Sequence, residues 1–184
     1  MRKADLKYPK SLRKKDWGLK NTVYIALGSN KGDRINYLRE AVSKISHNPK
    51  IKLKNTSSVY ETKPFGKRNQ SNFFNAVIEI KTSYNLLQVF DYLKTLEIEL
   101  DRNDTTKWGP REIDLDLLFF NDRIFKDDDL TVPHYGIPDR DFVLVPLNEI
   151  APEFFHPVLK RKISDICNKD NSKNIIRKTK LKIN

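Results

Sequence analysis

Asp114 and Asp116 stand one residue apart in an otherwise apolar run, Ile113-Asp-Leu-Asp-Leu-Leu-Phe-Phe120. Period-2 alternation puts Ile113, Leu115, Leu117 and Phe119 on one side of a strand and both carboxylates on the other. Like charges side by side on such a strand repel each other and resist desolvation. A cation would resolve the conflict, and hard oxygen ligands at this spacing suit Mg²⁺ shared with substrate phosphates. Arg111, three residues before the first Asp, is in reach of the same anion. Trp108-Gly-Pro-Arg111 reads as a tight turn feeding the strand, with Gly109 and Pro110 as turn formers. The implied chemistry is metal-assisted handling of phosphate. The plain alternative is a half-exposed edge strand with solvated acids.

The elements that must hold this turn and strand are marked on either side. Thr22–Leu27 is an apolar strand, and Gly28-Ser-Asn-Lys-Gly-Asp33 is a turn. That turn lacks the G-x-x-x-x-G-K-[ST] pattern of a phosphate loop and reads as structural. Asp33 caps a helix with Ile35, Leu38, Val42 and Ile45 at helical spacing. A second strand covers Ile51–Tyr60, and Glu61–Gly66 turns the chain into a polar loop. Phe73–Thr82 alternates as a third strand: Phe74, Ala76, Ile78 and Ile80 face helices, and Phe73 and Asn75 face the more open side. Ser83 is placed to cap a helix with the stripe Leu86, Val89, Phe90, Leu93, Leu96, Leu100. Glu97 sits near that helix's C-terminus, where an acid is mildly unfavourable, a hint of another role.

Downstream, Asn121-Asp122 is a turn, Arg123–Phe125 a short edge strand, and Asp127–Asp129 a solvated run rather than a metal site. Arg140–Ile150 is a helix that Pro146 distorts. A short helix lies near Ile163–Cys167. The order β-α-β-β-α-β predicts an α+β fold, a ferredoxin-like βαββαβ core with extra strands and C-terminal helices. Helices would cover one sheet face, leaving the other to the additions and the site.

Composition narrows the function classes. The chain has 184 residues and a net charge of +11, with 38% hydrophobic content. Residues 21–167 hold as many acidic as basic side chains, so the basic excess lies in 1–20 and 168–184. The expected organisation is a basic flexible extension over 1–20, one domain over 21–167 and a basic, unstructured tail over 168–184. A neutral body argues against nucleic acid. No apolar run could span a membrane, and the basic N-terminus lacks the apolar core of a secretory leader. The single cysteine, Cys167, fits a reducing, cytoplasmic compartment.

Several separated segments together resemble the 6-hydroxymethyl-7,8-dihydropterin pyrophosphokinases of folate biosynthesis. They are the first strand with its Gly28-Ser-Asn turn, Glu61-Thr62, Phe65-Gly66, Phe73-Phe-Asn-Ala76, and Glu97 with Arg102. Lys107–Leu118, Leu130–Tyr135, Arg140 with Phe142, and Pro146–Pro152 complete them, so the resemblance covers roughly 22–166. It implies transfer of the β,γ-pyrophosphoryl group of ATP to the pterin hydroxymethyl oxygen, leaving AMP. Asp114 and Asp116 would hold a pair of Mg²⁺ ions, Asp114 also touching the pterin. Arg102 and Arg111 would be the catalytic cations. ATP would meet Glu97, Trp108, Arg111, Leu117, Thr131, His134, Tyr135 and Arg140. The pterin would stack between Phe73 and Phe142, with Thr62, Phe65 and Asn75 reading its polar edge.

The resemblance has departures. Asp101 stands where many members have Gly, Phe73 where Tyr is common, Lys63 where Pro is common, and Asp129 where some have a basic nucleotide contact. It implies small-molecule partners only, and either a monomer or a domain fused or adjacent to other folate enzymes. The competing readings are another Mg²⁺-dependent phosphotransferase on a similar sheet, an RNA-recognition-type module and an inactive relative. An RNA-recognition module needs aromatic RNP motifs that are missing here. An inactive relative would not need both Asp and all three Arg.

Overall fold

The computed structural model describes residues 18–66, 69–102, 109–167 and 173–184. Trp17, Lys107 and Trp108 therefore lie outside the described residues, as does most of the N-terminal extension. The core runs β1 (Asn21–Ser29), α1 (Arg34–His47), β2 (Ile51–Thr56), β3 (Tyr60–Thr62), β4 (Phe73–Thr82), α2 (Leu86–Glu99) and β5 (Asp114–Phe120). A hairpin of β6 (Phe125–Lys126) and β7 (Thr131–Val132) follows, then α3 (Asp141–Ile150). The chain ends with the hairpin β8 (Phe155–His156) and β9 (Arg161–Lys162), α4 (Ile163–Ile166) and β10 (Ile175–Lys178).

The main sheet has the order β10-β3-β4-β1-β5, with β2 also pairing β4, and every pairing is antiparallel. Taking β2 and β3 as one interrupted strand gives the order of a ferredoxin-like sheet. The interruption has a cause. Ser57 folds its hydroxyl back to accept the Val77 N–H at 2.9 Å while its own N–H goes to the Val77 carbonyl. The strand resumes at Tyr60 and runs through Thr62, two residues into the predicted turn.

α1 and α2 cover one face and bury Leu38, Val42, Ile45, Leu86, Val89, Leu93 and Leu96 against Ile25, Leu27, Ile78 and Ile80. Asp33 caps α1 as predicted, its carboxylate accepting the Asn36 N–H. α2 is capped by Asn85 instead of Ser83. Asn85 wins because Gln88 returns the bond and completes a capping box. The opposite face carries a second core. There α3 sets Val143, Leu144 and Leu147 against Tyr24, Val77, Leu118 and Phe119.

Phe119 is thus on the face opposite to the predicted one. Tyr24 pairs with Phe119 and Ile25 with Leu117, so Leu118 is an extra residue in the ladder. This bulge flips the alternation for the rest of the strand. Leu118 and Phe119 both turn toward α3, and Phe120 joins the helix side.

The C-terminal residues also differ from expectation. Residues 173–184 are not a free tail: β10 pairs with β3, and Ile183 is 4% exposed in the helix-side core.

Candidate active site

On the α3 face, past the end of the second core, a cavity of about 280 Å³ opens between β1, β4, β5 and the start of α3. Its size falls near the lower end of small-molecule sites, which run to about 1,000 Å³. Twelve of the residues singled out from sequence line it: Thr62, Phe65, Phe73, Asn75, Arg102, Arg111, Asp114, Asp116, His134, Tyr135, Arg140 and Phe142.

The carboxylates sit where the sheet is in register. Asp114 pairs across β1 with Gly28 and Asp116 with Ala26. Small residues opposite them keep the floor open. A Cβ on Gly28 would lie 2.9 Å from Asn75 Oδ1, so only glycine lets the amide lie across β1. Asn75 Nδ2 donates to Thr62 Oγ1 at 2.8 Å, which fixes one polar wall.

Arginines compensate the acids. Arg111 and Arg102 each approach an Asp114 oxygen at 2.9 Å, and Arg140 approaches Asp116 at 3.9 Å. Burial first, then neighbouring Asp116, push the Asp114 carboxyl up to about 6, against the pull of Arg111 and Arg102. Burial works against the Arg102 charge, but Asp114 and Glu97 outweigh it and raise its pKa above the ordinary value. Burial lowers the His134 pKa, opposed by Asp116. His134 Nδ1 accepts the Gly136 N–H at 3.1 Å, which leaves Nε2 to carry the proton of the neutral ring.

A divalent cation fits this donor set. Among the described residues no cluster of three or more His, Cys, Asp and Glu side chains forms a closed cage. Two carboxylates on an open floor leave the remaining ligands to phosphate and water, as Mg²⁺ prefers. Lys63, Lys94, Arg102, Arg111 and Arg140 ring the same space and can share the charge of a polyphosphate.

The aromatic wall is broader than predicted. Phe142 meets Phe65 with centroids 5.9 Å apart, and Phe73 lines the same cavity. Tyr135 is 67% exposed and stacks on His134 at 4.7 Å, while its hydroxyl accepts from Arg140 at 3.2 Å.

Three sequence-selected residues lie off the wall. The Leu117 side chain is in the helix-side core, so it does not face the cavity. Thr131 is in the β6–β7 hairpin opposite Lys126. Glu97 is 3% exposed and fully engaged: it accepts the Leu115 N–H at 2.6 Å, pairs with Lys94 at 3.0 Å and holds Arg102. It reaches the cavity only through those two cations.

Asn30 is the residue that sequence reasoning passed over. Its side chain accepts the Arg111 N–H at 2.8 Å and donates to Gln70 and to the Ser71 carbonyl. Its main-chain N–H returns to the Arg111 carbonyl at 3.1 Å. The turn after β1 therefore grips the arginine turn before β5. Asp101 is explained too: it ends α2 at φ 62°, a left-handed position that glycine fills without strain.

The sequence profile of the 7,8-dihydro-6-hydroxymethylpterin-pyrophosphokinase (HPPK) family matches residues 24–152. The chain belongs to the HPPK family. A 2-amino-4-hydroxy-6-hydroxymethyldihydropteridine pyrophosphokinase of Aquifex aeolicus is 40% identical over 144 residues, covering 78% of this chain and 89% of that one. The enzyme of the same name from Bacillus subtilis is 43% identical over 135 residues, covering 73% and 81%. Fused relatives exist as well. The chain covers 46% of a bifunctional FolKE protein of Lactococcus lactis at 32% identity. A solved Plasmodium falciparum HPPK-DHPS structure shares the fold at TM-score 0.62 and 20% identity, and the chain spans 41% of its length. Membership explains why the scattered motifs converge on one cavity.

Proposed function

We propose that this HPPK-family chain transfers pyrophosphate from ATP to 6-hydroxymethyl-7,8-dihydropterin, giving AMP and the pterin diphosphate of folate biosynthesis. The observation that carries the reading is the Asp114–Asp116 floor lying between a ring of cations and an aromatic wall in one cavity. A flat heteroaromatic fits against Phe142, Phe65 and Phe73, with the Asn75–Thr62 pair at its polar edge. The polyphosphate fits the cation side, with Arg140, His134 and Tyr135 at the nucleotide end.

Asp114 and Asp116 would hold the Mg²⁺, in a pair as in-line displacements use. The metal supplies charge neutralisation and orientation of the phosphates. The pterin hydroxymethyl oxygen attacks the β-phosphorus and releases its proton to solvent, and the bond to the α,β-bridging oxygen breaks, so AMP departs with that oxygen. Arg102 and Arg111 already meet Asp114. On substrate binding they exchange a carboxylate for phosphate oxygens and stabilise the charge of the transferring group. The working domain is 21–167 with β10 added, and its setting is the cytoplasm, where ATP and reduced pterin meet.

The test is product analysis with ATP, Mg²⁺ and the dihydropterin. AMP should form in step with the pterin diphosphate and depend on both. ADP as product would overturn the reading of which phosphorus is attacked. Asp116→Ala should lose more than about a hundredfold in turnover with its fold intact, since it removes a ligand from the charge-bearing site; normal turnover at saturating Mg²⁺ would exclude Asp116 as a ligand.

A further inference from the structure

Asn174 touches both sides of the acceptor half of the cavity without lining it. Its carbonyl accepts the Lys63 N–H at 2.8 Å, just past β3. Its main-chain and side-chain N–H groups donate to Asp141 at 2.5 and 2.9 Å, and the Ile175 N–H adds a third bond at 3.2 Å. Asp141 is 4% exposed, so these donors are what make its burial tolerable. It lies between Arg140 and Phe142, and its Oδ1 accepts the Phe142 N–H at 2.9 Å. Lys63, Arg140 and Phe142 all line the cavity.

The same strand holds the far end of α3. Lys178 pairs with Glu149 at 3.0 Å, and Glu149 also accepts from the Ser58 and Tyr60 hydroxyls at 2.8 and 2.9 Å. Arg177 pairs with Glu61 at 2.8 Å, and the Thr179 N–H reaches the Val59 carbonyl. Both ends of α3 are thus tied to the β3 edge through residues 174–178. These residues lie beyond the segment matched to the family, which ends at 152.

We propose that residues 174–178 are a positioning strap for the acceptor substrate. Through Lys63 and Asp141 the strap sets the spacing between the Thr62–Phe65 wall and the Arg140–Phe142 wall. Asp141 and Asn174 are positioning residues: neither touches substrate. The inference rests on the reading above that this half of the cavity takes the pterin.

The test uses the full chain and two substitutions, Asn174→Ala and Asp141→Asn, with 6-hydroxymethylpterin as a fluorescent binding probe and steady-state kinetics beside it. The expected result is a rise of about tenfold in the probe Kd and in the KM for the dihydropterin, the size of losing one bond to a carboxylate. The KM for ATP should rise less, by no more than about threefold, because of the nucleotide-end residues only Arg140 adjoins Asp141. Asn174→Ala keeps every main-chain bond, so it separates positioning from folding. Pterin and ATP constants rising together would mean a merely structural role and overturn the strap. Wild-type binding with unaltered variants would overturn the strap alone. A wild-type chain that binds no pterin would overturn the acceptor assignment and the strap with it.

Discussion

Replacing Glu97 with alanine separates an anchoring role from a ligand contact. The carboxylate accepts the Leu115 N–H at 2.6 Å, between the two aspartates at the start of β5. An orphaned buried N–H costs about 1–3 kcal/mol. The substitution also strips a carboxylate from Arg102 and from Lys94, whose side chains are 27% and 40% exposed. Breaking a fully buried pair costs about 3–5 kcal/mol, but these cations can hydrate partly, so the lower end applies. Together Glu97→Ala should cost about 3–4 kcal/mol. Glu97→Gln keeps an acceptor for Leu115 and should cost about 1–2 kcal/mol. Urea unfolding reads both. With a slope of about 2 kcal/mol per molar, the alanine midpoint should fall by about 1.5–2 M at unchanged slope. An alanine variant with the wild-type midpoint and only a raised KM for ATP would refute the anchoring argument and make Glu97 a nucleotide contact.

Other outcomes follow from the same geometry. Asn30→Ala removes three side-chain hydrogen bonds, one from the Arg111 N–H and two to Gln70 and Ser71, and keeps the main-chain bond to the Arg111 carbonyl, so kcat should fall at least about tenfold, with a stability loss of about 2 kcal/mol in the same denaturation assay. Equal kcat would show that the main-chain bond and the strand hold Arg111 without the Asn30 side chain. The Asp114 carboxyl titrates near 6 in the folded chain against 3.8 as its ordinary value. Folding therefore favours its protonated form, and without Mg²⁺ its contribution to stability falls as pH rises from about 4 to 6. Below that window wild type and Asp114→Asn should have similar melting temperatures, and above it the Asn variant should melt higher. A difference that does not change with pH would remove the desolvation argument.

Much of the site was legible because its chemistry conflicts with its surroundings. Asp114 and Asp116 announce themselves as charges on an apolar strand, and Phe73 and Asn75 as the odd face of an alternating one. The sequence order also implied the ferredoxin-like sheet, since each helix sits between strands it must cover. Other features carry no such conflict. Asn30 is one more polar residue in a turn, and its long-range grip on Arg111 leaves no local pattern. Residues 174–178 read as a charged tail because their partners, Asp141, Glu149 and Glu61, are far away in sequence. The Asn85 cap was visible in principle, through Gln88 three residues on. The Leu118 bulge was not, because a hydrophobic run reads alike with or without one extra residue.

That bulge draws a boundary within β5. Before it, alternation sets Asp114 and Asp116 opposite Gly28 and Ala26. After it, alternation only shares large side chains between two cores. A length change at Leu118 would redeal Phe119 and Phe120 while leaving both acids in register with β1. The strand is thus divided into a half whose register places the acids and a half that fills the two cores, and the Asp114–Asp116 floor is insulated from register changes in the hydrophobic residues after it.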